Sequence, residues 1–417
     1  MDPDPGNPTH SYKALLFICC GVTFTCYLGS YMRIPVVPLF AKSFGANTAE
    51  VGMINSSFLF TAGLLSLPLG ILSDRLGRKL LILCGLLISA LTSVMLYFSS
   101  SAQQLMWIYV LFGMGLAAFA PTMMSFVADF SPLTHLGRSY GWYTLAIYGG
   151  MSLGPAVGGM TAQRFGFLSV FLVSGVLIFA LFWLVLCYLP RARHVLINRP
   201  PKRNTRVVAK EFLKNTPLLA CWMVTLGGCF GLGMFVTFIP LHAQGHGVSI
   251  SGIGIIFATQ AVCNALSRIP FGQLSDKVAR RSNLVIVGLL GFALCMFGFG
   301  LAHSLVTFMV FAAGLGISMG VAFTAVGALI SEVVPADARG LAMGGYNSCI
   351  YFGMMLSSLV MGIIIERIGF KNSFFAVAGV NLSAILFFYL MFNRTAAAAA
   401  PKVVTQLPGE ADCRSRD

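Results

Sequence analysis

Residues 70–79 read Gly-Ile-Leu-Ser-Asp-Arg-Leu-Gly-Arg-Lys, a charged hinge wedged between two long apolar runs, and residues 272–281 repeat it as Gly-Gln-Leu-Ser-Asp-Lys-Val-Ala-Arg-Arg. The two aspartates, Asp74 and Asp276, stand 202 positions apart in a chain of 417. A charged turn that recurs at half the chain length, each time after a second apolar run, marks a duplication. Other landmarks keep nearly the same offset: Pro38 with Pro240, Pro68 with Pro270, Pro132 with Pro335, Arg138 with Arg339, and Ile147-Tyr148 with Ile350-Tyr351.

The apolar runs set what this duplication can build. A helix needs about 20 predominantly apolar residues to cross a bilayer. Twelve segments meet that length: about 11–38, 48–73, 79–98, 103–128, 138–162 and 167–189, then 218–241, 249–275, 283–302, 305–331, 339–366 and 373–392. Hydrophobic residues are 57% of the chain and charged residues 10%, more apolar surface than a water-facing fold can hide. The expected fold is therefore all-α and membrane-embedded, with two pseudo-symmetric six-helix bundles at 11–189 and 218–392. Tails at 1–10 and 393–417 and a basic linker at 190–217, broken by Pro200-Pro201, complete the domain plan.

A net charge of +14 raises the question of nucleic acid, but the bases lie scattered in short loops rather than on one face. Topology explains them: with a cytoplasmic N-terminus, 21 of the 27 lysines and arginines fall in inner loops and tails and four in outer loops. Both termini are thus expected in the cytoplasm of a multi-pass protein, and the short loops fit a bacterial inner membrane. A monomer is expected. The eleven cysteines include no CxxC pair, and no P-loop sequence or nucleophile–base arrangement is present. His242 and His246 stand four apart, but neighbouring glycines and the lack of a third ligand argue against a metal. No cofactor and no enzyme chemistry are expected.

The hinge resembles the loop 2–3 signature of the major facilitator superfamily, G-x-L-S-D-R-x-G-R-K, and the likeness spans the chain between its tails. Gly70, Asp74, Arg75, Gly77 and Arg78 match in the first half. Gly272, Asp276, Lys277 and Arg280 match in the second, with Ala279 in place of the second glycine. In a two-lobed transporter Asp74 would approach the N-terminus of helix 11 near Arg339, where the helix dipole favours an anion. Arg75 and Arg78 have Asp129 as an available partner; Lys277 and Arg280 have Glu332. Together with Arg138, these residues form the expected gating latch. Within helix 5, Gly150, Gly154, Pro155, Gly158 and Gly159 resemble the G-x-x-x-G-P-x-x-G-G element of the drug:proton antiporter group, which implies a hinge in an exporter. One departure opposes that group: its helix 4 arginine is replaced here by Tyr109, four residues before Gly113.

Charged groups inside membrane helices usually face a cavity or reach for an interface. Arg33 and Arg268 are such groups; Arg33 shares a helical face with Cys26 and Ser30, and Arg268 continues a stripe from Gln260 and Asn264. With Asn55, Tyr143, Tyr148, Tyr346, Asn347 and Tyr351 they make the expected substrate cavity, tyrosine-rimmed and poor in charge, at the interface of the repeats. The expected activity is proton-linked export of small amphipathic organic solutes. Two other readings stay open: an uptake or facilitative carrier for a small organic anion, and a non-transporting scaffold or sensor.

Overall fold

The structure is a computed structural model that describes residues 12–132, 135–190, 212, 215–278, 280–335 and 339–399, apart from the side chains at 67, 74, 136, 137, 276, 340 and 393–399. The first half contains α1 (Tyr12–Met32), α2 (Val36–Ser43), α3 (Thr48–Leu76), α4 (Arg78–Tyr97), α5 (Ala102–Phe130), α6 (Leu136–Phe165) and α7 (Phe167–Tyr188). The second contains α8 (Thr216–Gly245), α9 (Ile250–Lys277), α10 (Arg281–Leu301), α11 (Leu305–Val333) and α12 (Arg339–Ala399). α12 makes two crossings, because Gly369 at φ 74° interrupts the helical backbone inside it. α1 and α2 make one. Twelve crossings result, six in each lobe.

The first crossing corrects the expected unbroken segment. It runs on to Ser43 and breaks at residues 33–35, where proline at 35 removes a backbone donor and α2 restarts the helix. Nine described stretches are apolar and long enough to cross a membrane, the last of them holding both crossings of α12. α6, rich in glycine and polar residues, is not among the nine.

Local chemistry fixes the helix ends. Asn47 and Glu50 form a reciprocal capping box on α3, and Ser101, Asn215, Ser249 and Ser304 cap α5, α8, α9 and α11. Lys79 Nζ donates to the carbonyls of Leu186 (2.9 Å) and Leu189 (2.5 Å), closing the end of α7. The duplication extends to the turns: Gly166 (φ 84°) and Gly369 (φ 74°) occupy equivalent positions, where a side chain would be strained.

The hinges differ in length. A single residue, Gly77 at φ 95°, separates α3 from α4, whereas residues 278–280 separate α9 from α10. This longer turn changes the ion pairing in the second lobe. Arg78, the first residue of α4, pairs with Asp129 on α5, with Nη2 to Oδ1 at 3.1 Å. Its equivalent is Arg281, the first residue of α10, which pairs with Glu332 on α11 at 2.9 Å. The expected partners Lys277 and Arg280 are exposed, Lys277 at the end of α9 and Arg280 at the residue just before α10.

One buried apolar cluster runs through both lobes and a second is confined to the first, and the lobes meet mainly along two seams, α3 against α12 and α6 against α9. Most of the linker 190–217, the tail 1–10 and residues 400–417 lie outside the described residues, while α12 continues through 393–399, past the expected end at 392; Phe212 is buried with its ring 5.9 Å from Trp222.

Candidate functional site

Between the lobes lies a cavity of about 330 Å³, within the size range of small-molecule sites. Tyr27 and Tyr31 of α1, Asn55 and Phe58 of α3, and Tyr148, Met151 and Pro155 of α6 line it from the first lobe. From the second come Gln260, Asn264 and Arg268 of α9, Met319 and Phe323 of α11, and Tyr346, Asn347, Tyr351 and Met354 of α12. Eight of the ten residues expected there from sequence share this lining. Tyr27 and Tyr31 were missed, although their i, i+4 spacing on α1 is the same signal that drew attention to α9.

Arg268 is the one charged side chain among the described lining residues. Its Nε donates to Asn264 Oδ1 at 2.9 Å, and its guanidinium carbon lies 4.4 Å from the ring centre of Tyr148 across the lobe boundary. Asn264 is 4% exposed, so the group that orients the arginine is itself held in packing. Nearer the middle, Asn55 Nδ2 donates to Thr237 Oγ1 at 2.5 Å, and Thr237 shares a hydrogen bond with Ser358 at 2.7 Å, joining α3, α8 and α12.

Arg33 and Tyr143 are the two corrections. Arg33 sits at the break after α1 with 1% exposure, turned into the first lobe: Nη1 donates to Thr92 of α4 at 3.2 Å and the guanidinium carbon is 4.2 Å from the Phe112 ring of α5. Neither residue belongs to the described cavity lining. The Phe112 ring lies 5.8 Å from that of Tyr109, so the guanidinium missing from α5 has a counterpart delivered beside it from α1. Tyr143 is 2% exposed and donates to the Ala120 carbonyl at 3.3 Å, bracing α6 on α5.

The end of the molecule opposite the charged hinges is fastened by two equivalent arrangements. Gln163 Oε1, at the end of α6, accepts the N–H groups of Ile250 (3.0 Å) and Ser251 (3.4 Å) in the first turn of α9. Glu366 Oε1, on α12, accepts the N–H of Ala49 (3.3 Å) and the hydroxyl of Thr48 (3.5 Å) in the first turn of α3. Each lobe thus caps a helix of the other, satisfying N–H groups that have no partner within their own helix. Small residues bring the backbones together below the caps. A Cβ on Gly159 would lie 2.7 Å from the Ile250 carbonyl oxygen, and one on Gly254 2.4 Å from that of Pro155.

The other glycines of the α6 element face inward: Cβ atoms at Gly150, Gly154 and Gly158 would meet the α1 carbonyls of Phe24, Leu28 and Met32 at 2.4, 2.7 and 2.2 Å. Toward the hinge end such close approaches are not found at three glycines: a Cβ on Gly70, Gly141 or Gly344 would meet nothing within 4 Å among the described residues. Gly272 has only Thr324 of its own lobe at 3.8 Å. Arg75 and Arg138 are exposed at this end, and Arg339 Nε donates to the Ser331 carbonyl at 3.1 Å. The side chains of Asp74 and Asp276, central to the expected latch, lie outside the described residues. At the capped end His242, His246 and His303 are neighbours, with ring centres 4.7 and 5.0 Å apart in sequence order, and α8 remains helical through Gly245. No metal-holding group of three is found among the described residues.

The family model described as "Major Facilitator Superfamily" matches residues 19–252 and again 222–410. The chain belongs to the Major Facilitator Superfamily. Curated members of this superfamily resemble it over most of their length. An MFS-type transporter of Methanocaldococcus jannaschii is 26% identical over 387 residues, 91% of this chain and 98% of its own. The quinolone resistance protein NorA of Staphylococcus aureus is 25% identical over 384 residues, 89% of this chain and 95% of its own. The multidrug resistance protein MdtG of Proteus mirabilis is 27% identical over 311 residues, 71% and 74% respectively. Among solved structures, a bacterial homolog of the human lysosomal transporter Spinster aligns with TM-score 0.78 at 18% identity, covering 93% of this chain and 98% of its own. The nucleoside transporter NupG aligns with TM-score 0.77 at 14% identity, covering 91% and 100%. These two likenesses concern the superfamily fold, a multi-pass helical membrane protein in two lobes.

Proposed function

We propose that this protein is a secondary transporter that exports small amphipathic organic compounds across a bacterial inner membrane by rocking its two lobes about the central cavity. The observation that carries the reading is that cavity: aromatic and methionine-lined, with two reciprocal lobe-to-lobe caps at one end and none at the hinge end among the described residues. The basic bias of the hinges, linker and tails puts the hinge end in the cytoplasm, where an exporter loads. The resemblance of NorA and MdtG, named for drug resistance, favours export over uptake.

Protons are the coupling ion in this reading. No carboxylate lines the cavity among the described residues, so the proton acts elsewhere.

Accumulation of lipophilic dyes, antibiotics and organic anions, in cells with and without the protein, tests the proposal. Lower accumulation that a protonophore restores is the expected result. Higher accumulation of one anion, unaffected by the protonophore, would replace export with facilitated uptake.

A further inference from the structure

We propose that the cavity selects organic carboxylates, with Arg268 taking the carboxylate and the aromatic walls taking the rest of the molecule. The inference rests on the cavity being the cargo site, and it holds for either direction of transport.

Three features lead there. Arg268 has no countercharge in the cavity, since no aspartate or glutamate is among the described lining residues. The described carboxylates with charged or polar partners are engaged at helix ends: Asp129 with Arg78, Glu332 with Arg281, Glu50 with the Asn47 backbone, and Glu366 with the start of α3. A half-buried, unneutralised guanidinium against apolar walls attracts an anion more strongly than one in bulk water does, because the walls replace part of the solvent that would screen it.

The guanidinium is also aimed. Asn264 holds Nε at 2.9 Å and the Tyr148 ring supports one face, while the two terminal nitrogens make no hydrogen bond among the described residues. A planar fork whose inner nitrogen is fixed and whose outer pair is free matches the two oxygens of a carboxylate. The rest of the lining describes the rest of the cargo. Tyr27, Tyr31, Phe58, Phe257 and Phe323 offer ring faces, and only neutral amides and hydroxyls accompany them. A flat apolar body with one terminal carboxylate satisfies both regions, whereas an organic cation meets Arg268 with no acid to offset it.

Three probes with one fluorophore separate the possibilities: dansylglycine, an anion; dansylamide, neutral; and a dansyl trimethylammonium derivative, a cation. Their binding is measured on the full-length protein in lipid nanodiscs. Dansylglycine is expected to bind about tenfold or more tightly than dansylamide, with the cation weakest. Arg268→Gln is expected to abolish that preference while leaving dansylamide affinity within about twofold, which also reports that the cavity is intact. Arg268→Lys keeps the charge but not the fork, and is expected to retain part of the preference. The proposal is overturned if the cation binds as well as the anion, if the preference survives in Arg268→Gln, or if none of the probes binds the wild-type protein. A protein that keeps the dansylglycine preference yet exports nothing from cells would refute the export reading and leave this site standing.

Discussion

Arg33 is 1% exposed, and its Nε and Nη2 have no hydrogen-bond partner among the described residues. A buried charge met so incompletely costs stability, and an apolar side chain of similar length often does as well or better. Arg33→Met is therefore expected to melt no more than about 1 kcal/mol below the wild-type protein, and Arg33→Ala, which also removes the packed stem, about 2 kcal/mol or more below it. Thermal unfolding in detergent checks both. Because Arg33 lies outside the cavity, dansylglycine affinity is expected to stay within about twofold in Arg33→Met, in contrast to Arg268→Gln. That contrast was not legible in the sequence. Both arginines read as intramembrane charges on polar helical faces, but the side on which a face ends up depends on the break at residues 33–35, and on which neighbours pack there. Arg268 was easier to place because Gln260 and Asn264 extend its face over two turns. Tyr143 misled for the opposite reason: its ring is part of the packing between α6 and α5, and tyrosine serves packing and cavity walls equally well.

Most helices were legible because apolar runs of bilayer length have few alternative fates, whereas the break at residues 33–35 and the end of the last helix were not. Contacts between lobes were not, since a cap supplied from 200 residues away leaves no local pattern. Only the pseudo-symmetric placing of Gln163 and Glu366 hints at one. The two caps differ in charge, and this predicts an exchange experiment. Glu366→Gln is expected to weaken closure of the capped end by about 0.3–1 kcal/mol, and Gln163→Glu to strengthen it by a similar amount. The double exchange should return close to the wild-type balance. Distances between spin labels at Phe44 and Asn372, read by pulsed electron resonance, report the closed population. The same ruler applies to Gly159→Ala, whose Cβ would press on the Ile250 carbonyl oxygen 2.7 Å away. Since both groups belong to backbones, neither yields cheaply, and a longer label distance is expected.

At the level of the whole molecule, the duplication was visible from the first hinge, and the superfamily follows from it. What the repeat could not convey is the inequality of its halves: one hinge turns on a single glycine and the other on three residues, and the cavity's fixed charge comes from the second lobe alone. That lone guanidinium has an electrical consequence. An anionic cargo leaving a cell that is negative inside moves down the membrane potential, by about 2.3 kcal/mol per charge at 100 mV. A proton entering in exchange adds the same again, so one cycle would carry two charges and draw about 4.6 kcal/mol from voltage. Vesicles loaded with dansylglycine should then respond to an imposed potassium diffusion potential even with no pH difference across the membrane, and a neutral dansyl cargo should respond about half as steeply. A binding site without a carboxylate thus becomes, in a charged membrane, a means of using the voltage directly.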